Sequence, residues 1–550
     1  MRLPCGVPGA PPATSSGLLR HTGVVKHQGN TAHLLFAGER QIMKPLQDAV
    51  ASPPRVTGLA DISPLHGLAR RSLGPVDALA QSVSAMAPVA AAVTMPAMVT
   101  AAAGRHAVTS ILCATVLVLL IGYTLGQYAR RMGAAGSLYS YVAQALGSTG
   151  TWRPLVALAT GCSLIIGYAC IAMFALIGFA LHASDLIASF GRPQFADPVM
   201  AGVILAVGGT CTWLLIRGLR LSSLAMLMAE GAALLVLVVP IVLVFLAVPR
   251  EALPDVDVRA AVPDPGFSGL ATGAVLALMA FVGFESATVL GAETRRPLRT
   301  IPRVLLWSAA GGGVLYVVAA LAQRVLLQSV PPLDDDGSQV FGPAMRAAGL
   351  PWLVPLLDAG AALSFFACTL ACATALARVL LTMGREDVLP AWLGHAHLRF
   401  RTPVHAVLAA MPVVTVVPAT LILLGLGTGE AMNKLLGTAA TAYVTAYLLA
   451  CCAAPVFLRR IGELTLRPAL AAGLTSVALA GALVAYRITL AGAGRSASGW
   501  IFCILLATAL LWFLWHRRHR SADPVLGLYD VPTQDAVLGG GRNTAAGDAP

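Results

Sequence analysis

The 550-residue sequence predicts an all-α polytopic membrane protein with about twelve spanning helices. Three observations lead there. Hydrophobic residues make up 57% of the chain and charged residues 11%, with a mean hydropathy of +0.78. A soluble domain is nearer about 45–50% apolar and about 25% charged. Apolar runs of about 20 residues, enough to cross a hydrocarbon core of roughly 30 Å, recur between Pro75 and His516. These runs lack the period-two alternation of barrel strands, and only helices or closed barrels satisfy their backbone in lipid.

In order, the expected spans are Val76–Ala101, Val108–Tyr128, Pro154–His182, Pro198–Ile216, Leu221–Val248 and Gly269–Gly291, then Ile301–Val325, Leu353–Met383, Val404–Leu426, Leu435–Phe457, Pro468–Tyr486 and Gly499–Trp515. The first carries Pro88 and Pro96, with Ser84 beside Pro88. The third and eighth are long enough to tilt or to extend beyond the bilayer. The fifth and sixth each hold a carboxylate, Glu230 and Glu285.

Net charge is +12, and its location argues against nucleic acid as a partner. One alternating set of breaks holds Arg130, Arg131, Arg217, Arg220, Arg295, Arg296, Arg299, Arg303, Arg385, Arg399, Arg401, Arg459, Arg460, Arg517, Arg518 and Arg520. The opposite set holds Glu251, Asp255, Asp257 and Asp334 to Asp336. The positive-inside rule places the first set, and both termini, in the cytoplasm of a cell-membrane protein.

Residues 1–72 are rich in Pro, Gly, Ser and His and lack a signal-peptide apolar core, so a disordered cytoplasmic tail is expected there. Residues 73–520 form the membrane domain, and 521–550 read as a flexible cytoplasmic tail. No P-loop, cofactor-binding glycine fingerprint or zinc spacing occurs, so neither a resident cofactor nor an ATPase is expected on this chain. Of the ten cysteines, Cys368 and Cys372 share a helix face at i, i+4 without an adjacent His or carboxylate. They read as small buried hydrophobes, not metal ligands. An enzyme would need clustered His, Asp or Glu at one membrane face, and no such cluster is visible.

Ionisable groups at bilayer depth cost about 2.5–3.5 kcal/mol each on insertion scales, which makes them functional hypotheses. Glu230, in "MLMAEGAALL", must face protein or water and is a candidate proton carrier. Asp358 sits near the outer end of the eighth span. Glu285 lies in "GFESATVLG", between Gly283 and Gly291, which weaken the helix around it. Pro88 and Pro96 interrupt the first span in the same way. Interrupted helices in corresponding halves point to a site built on inverted repeats.

Three blocks carry a family resemblance. "FVGFESATVLGAETRRPLRTIPRVL", Phe281 to Leu305, is similar to the sixth-helix signature of the amino acid–polyamine–organocation superfamily. "RRMGAAGSLYSYVAQALG", with Gly133, Gly136, Tyr139 and Tyr141, resembles that family's loop before helix three. "ARVLLTMGREDVLPAWLGHAHLRFRTPV", with Arg378, Arg385, Leu389, Pro390, Thr402 and Pro403, resembles the stretch after helix eight.

The resemblance implies two inverted five-helix repeats, broken helices one and six, and a substrate held between helices one, three, six, eight and ten. Carried over by position, the substrate-binding residues are Ser84, Met86, Ala87, Pro88, Ala90 and Ala91 of helix one. Those of helix six are Met279, Ala280, Phe281, Gly283 and Phe284. Glu285, with Glu230 as the other candidate, is implied in gating and proton coupling. The implied activity is proton-coupled amino acid uptake by alternating access, with a small-molecule amino acid, a proton or sodium ion, and the lipid bilayer as partners. Amino acid exchange, polyamine transport and nutrient sensing without flux are the alternatives. Helix one departs from the family's glycine-rich break with "MAPVAAA", and Met279 stands where cationic exchangers carry an aromatic gate. The first implies a carboxylate cradle that differs in detail, the second argues against arginine exchange, and the few charges at the site favour a neutral or apolar amino acid.

Overall fold

A computed structural model describes residues 63–147, 152–247, 266–328, 349, 351–492, 497–518 and 526–531. All belong to one compact unit, Ile62–Pro532. The tail expected over residues 1–72 lies outside the described residues as far as 62, as do Glu251, Asp255, Asp257 and Asp334 to Asp336.

The helices are α1 (Pro75–Met86), α2 (Pro88–Ala103), α3 (Ala107–Ala129), α4 (Leu138–Leu146), α5 (Trp152–Ala188), α6 (Asp197–Arg217) and α7 (Leu219–Ala247). After α8 (Gly266–Met279) comes a 3-10 segment, Phe284–Leu290. Then follow α9 (Pro297–Gln328), α10 (Leu353–Arg385), α11 (Val404–Leu423), α12 (Thr428–Arg460), α13 (Leu466–Gly492) and α14 (Ala497–Arg518). Two short strands, β1 (Gly133–Ala134) and β2 (Tyr529–Asp530), pair antiparallel.

Eleven stretches of the described residues are long and apolar enough to cross a membrane. The first, Pro75–Ala129, runs for 55 residues. At 1.5 Å per residue that is roughly 80 Å, more than twice a bilayer core. It turns at Gly104–His106 and therefore holds two crossings, α1–α2 and α3. The total is about twelve, as the hydropathy pattern predicts. The third span, α5, has 37 residues and the eighth, α10, has 33, which confirms their unusual length.

Packing follows an inverted repeat. Spans one to five correspond to six to ten. The second packs on the seventh, the third on the eighth and the fourth on the ninth. The fifth lies against the eighth just as the tenth lies against the third. Exchanging the halves therefore reproduces the contacts. The richest windows of the sixth and eighth spans are 89% buried, whereas those of α13 and α14 are 28% and 22% buried. The last two helices thus sit at the periphery, with side chains such as Val477, Ile488 and Leu511 exposed toward the apolar surroundings.

Candidate functional site

Both breaks predicted from the sequence are present. The residue before a proline is pushed out of the α region, and proline itself has no N–H to donate. At Pro88 this ends α1 at Met86 and leaves Ala87 left-handed, at φ +46° and ψ 58°. That conformation is costly for a residue with a Cβ. Pro96 does not break the span and lies inside α2. The sixth span opens after Met279, and Gly283 takes φ +98°. A Cβ there would lie 2.8 Å from the Ala85 carbonyl oxygen, so the two breaks touch. Gly291 has an ordinary φ of −56°. Its glycine is needed for close approach instead, because a Cβ would lie 2.5 Å from the Ala134 carbonyl oxygen.

Below the breaks the two inner halves are tied together. The Ser82 hydroxyl donates to the Phe284 carbonyl, and the Ser286 hydroxyl donates to the Gln81 carbonyl at 3.0 Å. Above them, Tyr316 of the seventh span donates to the Ala280 carbonyl at 2.8 Å, satisfying one group freed by the opening.

Glu285 is fully buried at the second break. Its Oε1 accepts the Tyr168 hydroxyl at 2.8 Å, and its Oε2 accepts the Tyr447 hydroxyl. Tyr447 also accepts the Gly283 N–H at 3.4 Å. The carboxylate of span six is thus held by spans three and ten. Glu230, 3% exposed, faces the other break. Its Oε1 accepts the Ser364 hydroxyl at 3.1 Å from the eighth span. The Val89 backbone N–H, in the first turn of α2, faces the carboxylate. Oε2 has no partner among the described residues.

The eighth span supplies a polar seam between these carboxylates. Ser364, Cys368 and Cys372 recur every four residues and so share one helix face. Cys368 donates its S–H to the Ala85 carbonyl at 3.4 Å, and Gln81 donates to the Ala371 carbonyl at 2.8 Å. Tyr443, one turn before Tyr447, sits edge-on to Tyr168 with ring centroids 5.4 Å apart. Among the described residues, the buried Ser84 hydroxyl and Gln81 Oε1 have no hydrogen-bond partner, nor have Ser140, Ser163 and Thr374 elsewhere, and the Tyr443 hydroxyl faces the Cys372 thiol.

The residues predicted for binding divide into two groups. Ser84, Ala87, Pro88, Ala90, Met279, Ala280 and Gly283 are buried at or beside the breaks, and Ala91 is half-buried on α2. Met86, Phe281 and Phe284 pack toward neighbouring spans. Phe281 stacks edge-on to Tyr316 at 5.0 Å, and a Cβ on Gly312 would lie 3.6 Å from Met86 Cε. Phe284 points at Gly122 of the second span, where a Cβ would lie 3.4 Å from its ring. Sequence reasoning missed Tyr168, Tyr443, Tyr447, Ser364 and Gln81. The available signal was the i, i+4 spacing of polar residues within apolar helices, visible at Tyr443 and Tyr447 and at Ser364 and Cys368.

At the arginine-rich end, Arg378 and Glu293 form a buried two-point ion pair, Nε to Oε2 at 2.7 Å and Nη2 to Oε1 at 3.1 Å. It joins the eighth span to the end of the sixth. At the opposite end, the ligand atoms of His182, Asp185 and Asp358 lie within 4.8 Å of one another. His182 Nδ1 is bonded to Asp358 at 2.9 Å, and Asp185 accepts from Gln194 at 3.1 Å, so protein partners already engage the three.

Broken spans facing each other across a buried carboxylate are a transporter's geometry. A sequence profile described as "Amino acid permease" matches residues 73–510. The chain belongs to the amino acid permease family. This permease is also similar to an uncharacterised transporter of Mycobacterium tuberculosis H37Rv, at 30% identity over 64% of this chain and 74% of the relative. It is 27% identical to a branched-chain amino acid permease of Lactococcus lactis, over 56% of this chain and 67% of that protein. A low-affinity putrescine importer of Escherichia coli K12 is 22% identical over 54% of this chain and 64% of its own length. The permease is accordingly a multi-pass membrane transporter for small molecules.

Proposed function

We propose that this permease takes up an amino acid by alternating access, driven by protons that bind Glu285, in a cell membrane with both termini in the cytoplasm. The placement of Glu285 carries the reading. Its backbone belongs to the broken sixth span, and both its oxygens are held by tyrosines of spans three and ten. Ionised, the carboxyl accepts from both hydroxyls. Protonated, it becomes a donor at one oxygen, and the tyrosine there must turn from donor to acceptor. Protonation therefore alters the link between the broken spans and their surroundings. The substrate's ammonium would meet the Ala85 and Ala280 carbonyls, and its carboxylate the start of α2.

Glu285→Gln in proteoliposomes should abolish gradient-driven uptake while ligand binding persists. Unchanged accumulation with the proton gradient in that variant rules out the coupling role.

A second reading, polyamine transport, is favoured by one observation. Glu230 sits where the substrate carboxylate would approach, and its Oε2 is unpartnered. Two buried carboxylates would suit a diamine. Thermal-shift titration with leucine and with putrescine separates the readings, since a bound ligand raises apparent stability. Stabilisation by leucine alone supports the amino acid, by putrescine alone the polyamine. Binding without flux of either would mark a sensor.

A further inference from the structure

Residues 526–531 cross the arginine-rich end as a short strap. Its strand β2 pairs with β1, Gly133 opposite Asp530 and Ala134 opposite Tyr529. Its Gly527 carbonyl accepts Gln144 Nε2 at 2.7 Å. Glu386, just past the eighth span, accepts the N–H groups of Gly527 at 2.9 Å and Leu528 at 2.6 Å on Oε1, and the Tyr139 hydroxyl on Oε2. The Asp530 carboxylate is nearly buried and is held by three groups from the segment before α1. These are the Ser63 hydroxyl at 2.8 Å, Arg70 at 2.8 Å and Arg71 at 2.5 Å.

That segment in turn grips the end of the sixth span. Leu73 bridges Thr294, its N–H donating to the Glu293 carbonyl at 3.0 Å and its carbonyl accepting the Arg295 N–H at 3.0 Å. Arg71 also donates to the Thr294 carbonyl at 3.2 Å. The inner halves of spans one and six therefore form one unit from residue 71 to the breaks. Both hinges, Ala87 and Gly283, stand at the same level. At its inner end this unit is held by the Arg378–Glu293 pair, by the Gly291 N–H on the Ala134 carbonyl at 3.1 Å, by Ser137 against Thr288 at 2.6 Å, by Arg385 on the Pro64 and His66 carbonyls, and by the strap. The strap is the short one. It has six described residues, and Leu526 is its one buried apolar side chain. Its grip rests on the buried Asp530 and Glu386 carboxylates, on the β1 pairing and on Gln144.

We propose that residues 526–531 are a latch on the inner gate, which must leave before α1 and the 3-10 segment can swing and open the site toward the arginine-rich end. The latch rests on the transporter reading above, because an alternating-access cycle requires that end to open. Asp530 fastens the moving unit, Glu386 fastens the eighth span, and the strap spans the two.

Hydrogen exchange of the full-length protein in nanodiscs tests this. In Asp530→Asn, amides of residues 75–86 should exchange about tenfold faster, matching the loss of charged hydrogen bonds, while those of α5 keep the native rate. In a second variant, Ala134→Cys with Tyr529→Cys and the exposed cysteines replaced by serine, the disulfide should slow exchange at 75–86 below the native rate. Reductant should restore it. Unchanged exchange at 75–86 in both variants would show a static tie and overturn the latch. If Asp530→Asn does not fold, the cross-linked variant decides alone. Neither readout needs a transported substrate, so failure of the latch and failure of the transport reading remain separable.

Discussion

The carboxylates at mid-membrane and those at the arginine-rich end are satisfied differently. At the inner end, Glu293 receives Arg378 on both oxygens, Glu386 receives three donors, and Asp530 receives two arginines and a serine. At mid-membrane, Glu285 has one tyrosine per oxygen, and Glu230 leaves Oε2 bare. An unpaired buried acceptor is costly, and costs of this kind persist where a ligand or proton offsets them. The described carboxylates of the inner end are closed by their own contacts, and at mid-membrane Glu230 Oε2 is the acceptor left open among the described residues.

The largest expected effect that tests this contrast is at Arg378. Arg378→Ala strands a buried Glu293 and should destabilise the protein by about 3–5 kcal/mol. The apparent melting temperature in detergent measures it. A change near zero would mean that the inner end does not depend on its pairs.

Next come the two hinges. Gly283→Ala forces a Cβ against the Ala85 carbonyl at positive φ and should cost about 1–3 kcal/mol. Ala87→Gly relieves a left-handed alanine and should stabilise by about 1 kcal/mol. Opposite shifts in melting temperature are expected. Shifts of the same sign would show that one break is not set by its backbone.

A smaller effect concerns pH at the strap. Burial pushes the Glu386 carboxyl from its ordinary 4.5 up to about 7, against the pull of the Tyr139 hydroxyl and the Leu528 and Gly527 N–H groups. Neighbouring Arg385 is turned to the Gly394, Pro64 and His66 carbonyls and does not offset this. With the strap released, Glu386 faces water and binds protons less tightly. The docked form thus holds the extra proton, and docking weakens as pH rises from 4.5 to about 7 and then levels off. Exchange at residues 526–531, corrected for intrinsic rates, should rise over that window in the wild type and stay flat in Glu386→Gln.

The smallest effect is at Tyr443. Its hydroxyl meets at most the weak Cys372 thiol among the described residues, so Tyr443→Phe should change stability by no more than about 1 kcal/mol. Ligand-induced stabilisation should fall if the hydroxyl meets the ligand. A large loss of ligand-free stability would instead show that the hydroxyl is already engaged.

The spans were legible because a bilayer demands apolar runs of one length. The break at Ala87 was legible because Pro88 cannot donate, and Glu285 because a carboxylate in such a run needs a reason. Tyr168 was not, since a lone tyrosine in an apolar helix carries no mark of its partner, and the Tyr443–Tyr447 spacing marks a polar face without naming Glu285 as what it meets. Pro96 shows the reverse: a proline near the middle of a span need not break it, because membrane helices tolerate one. The strap was illegible for another reason. Gly133 and Asp530 are opposite each other in space and far apart in the chain, and no periodicity encodes that pairing.

That separation also orders the birth of the protein. Translation reaches Asp530 only after every described helix has been made, whereas Arg70 and Arg71 emerge ahead of the first described one. Until then both arginines lack this counter-charge. The bond from the Ser63 hydroxyl to Asp530 spans 467 residues and closes the longest hydrogen-bonded loop among the described residues, and it can form only after the described helices have been made.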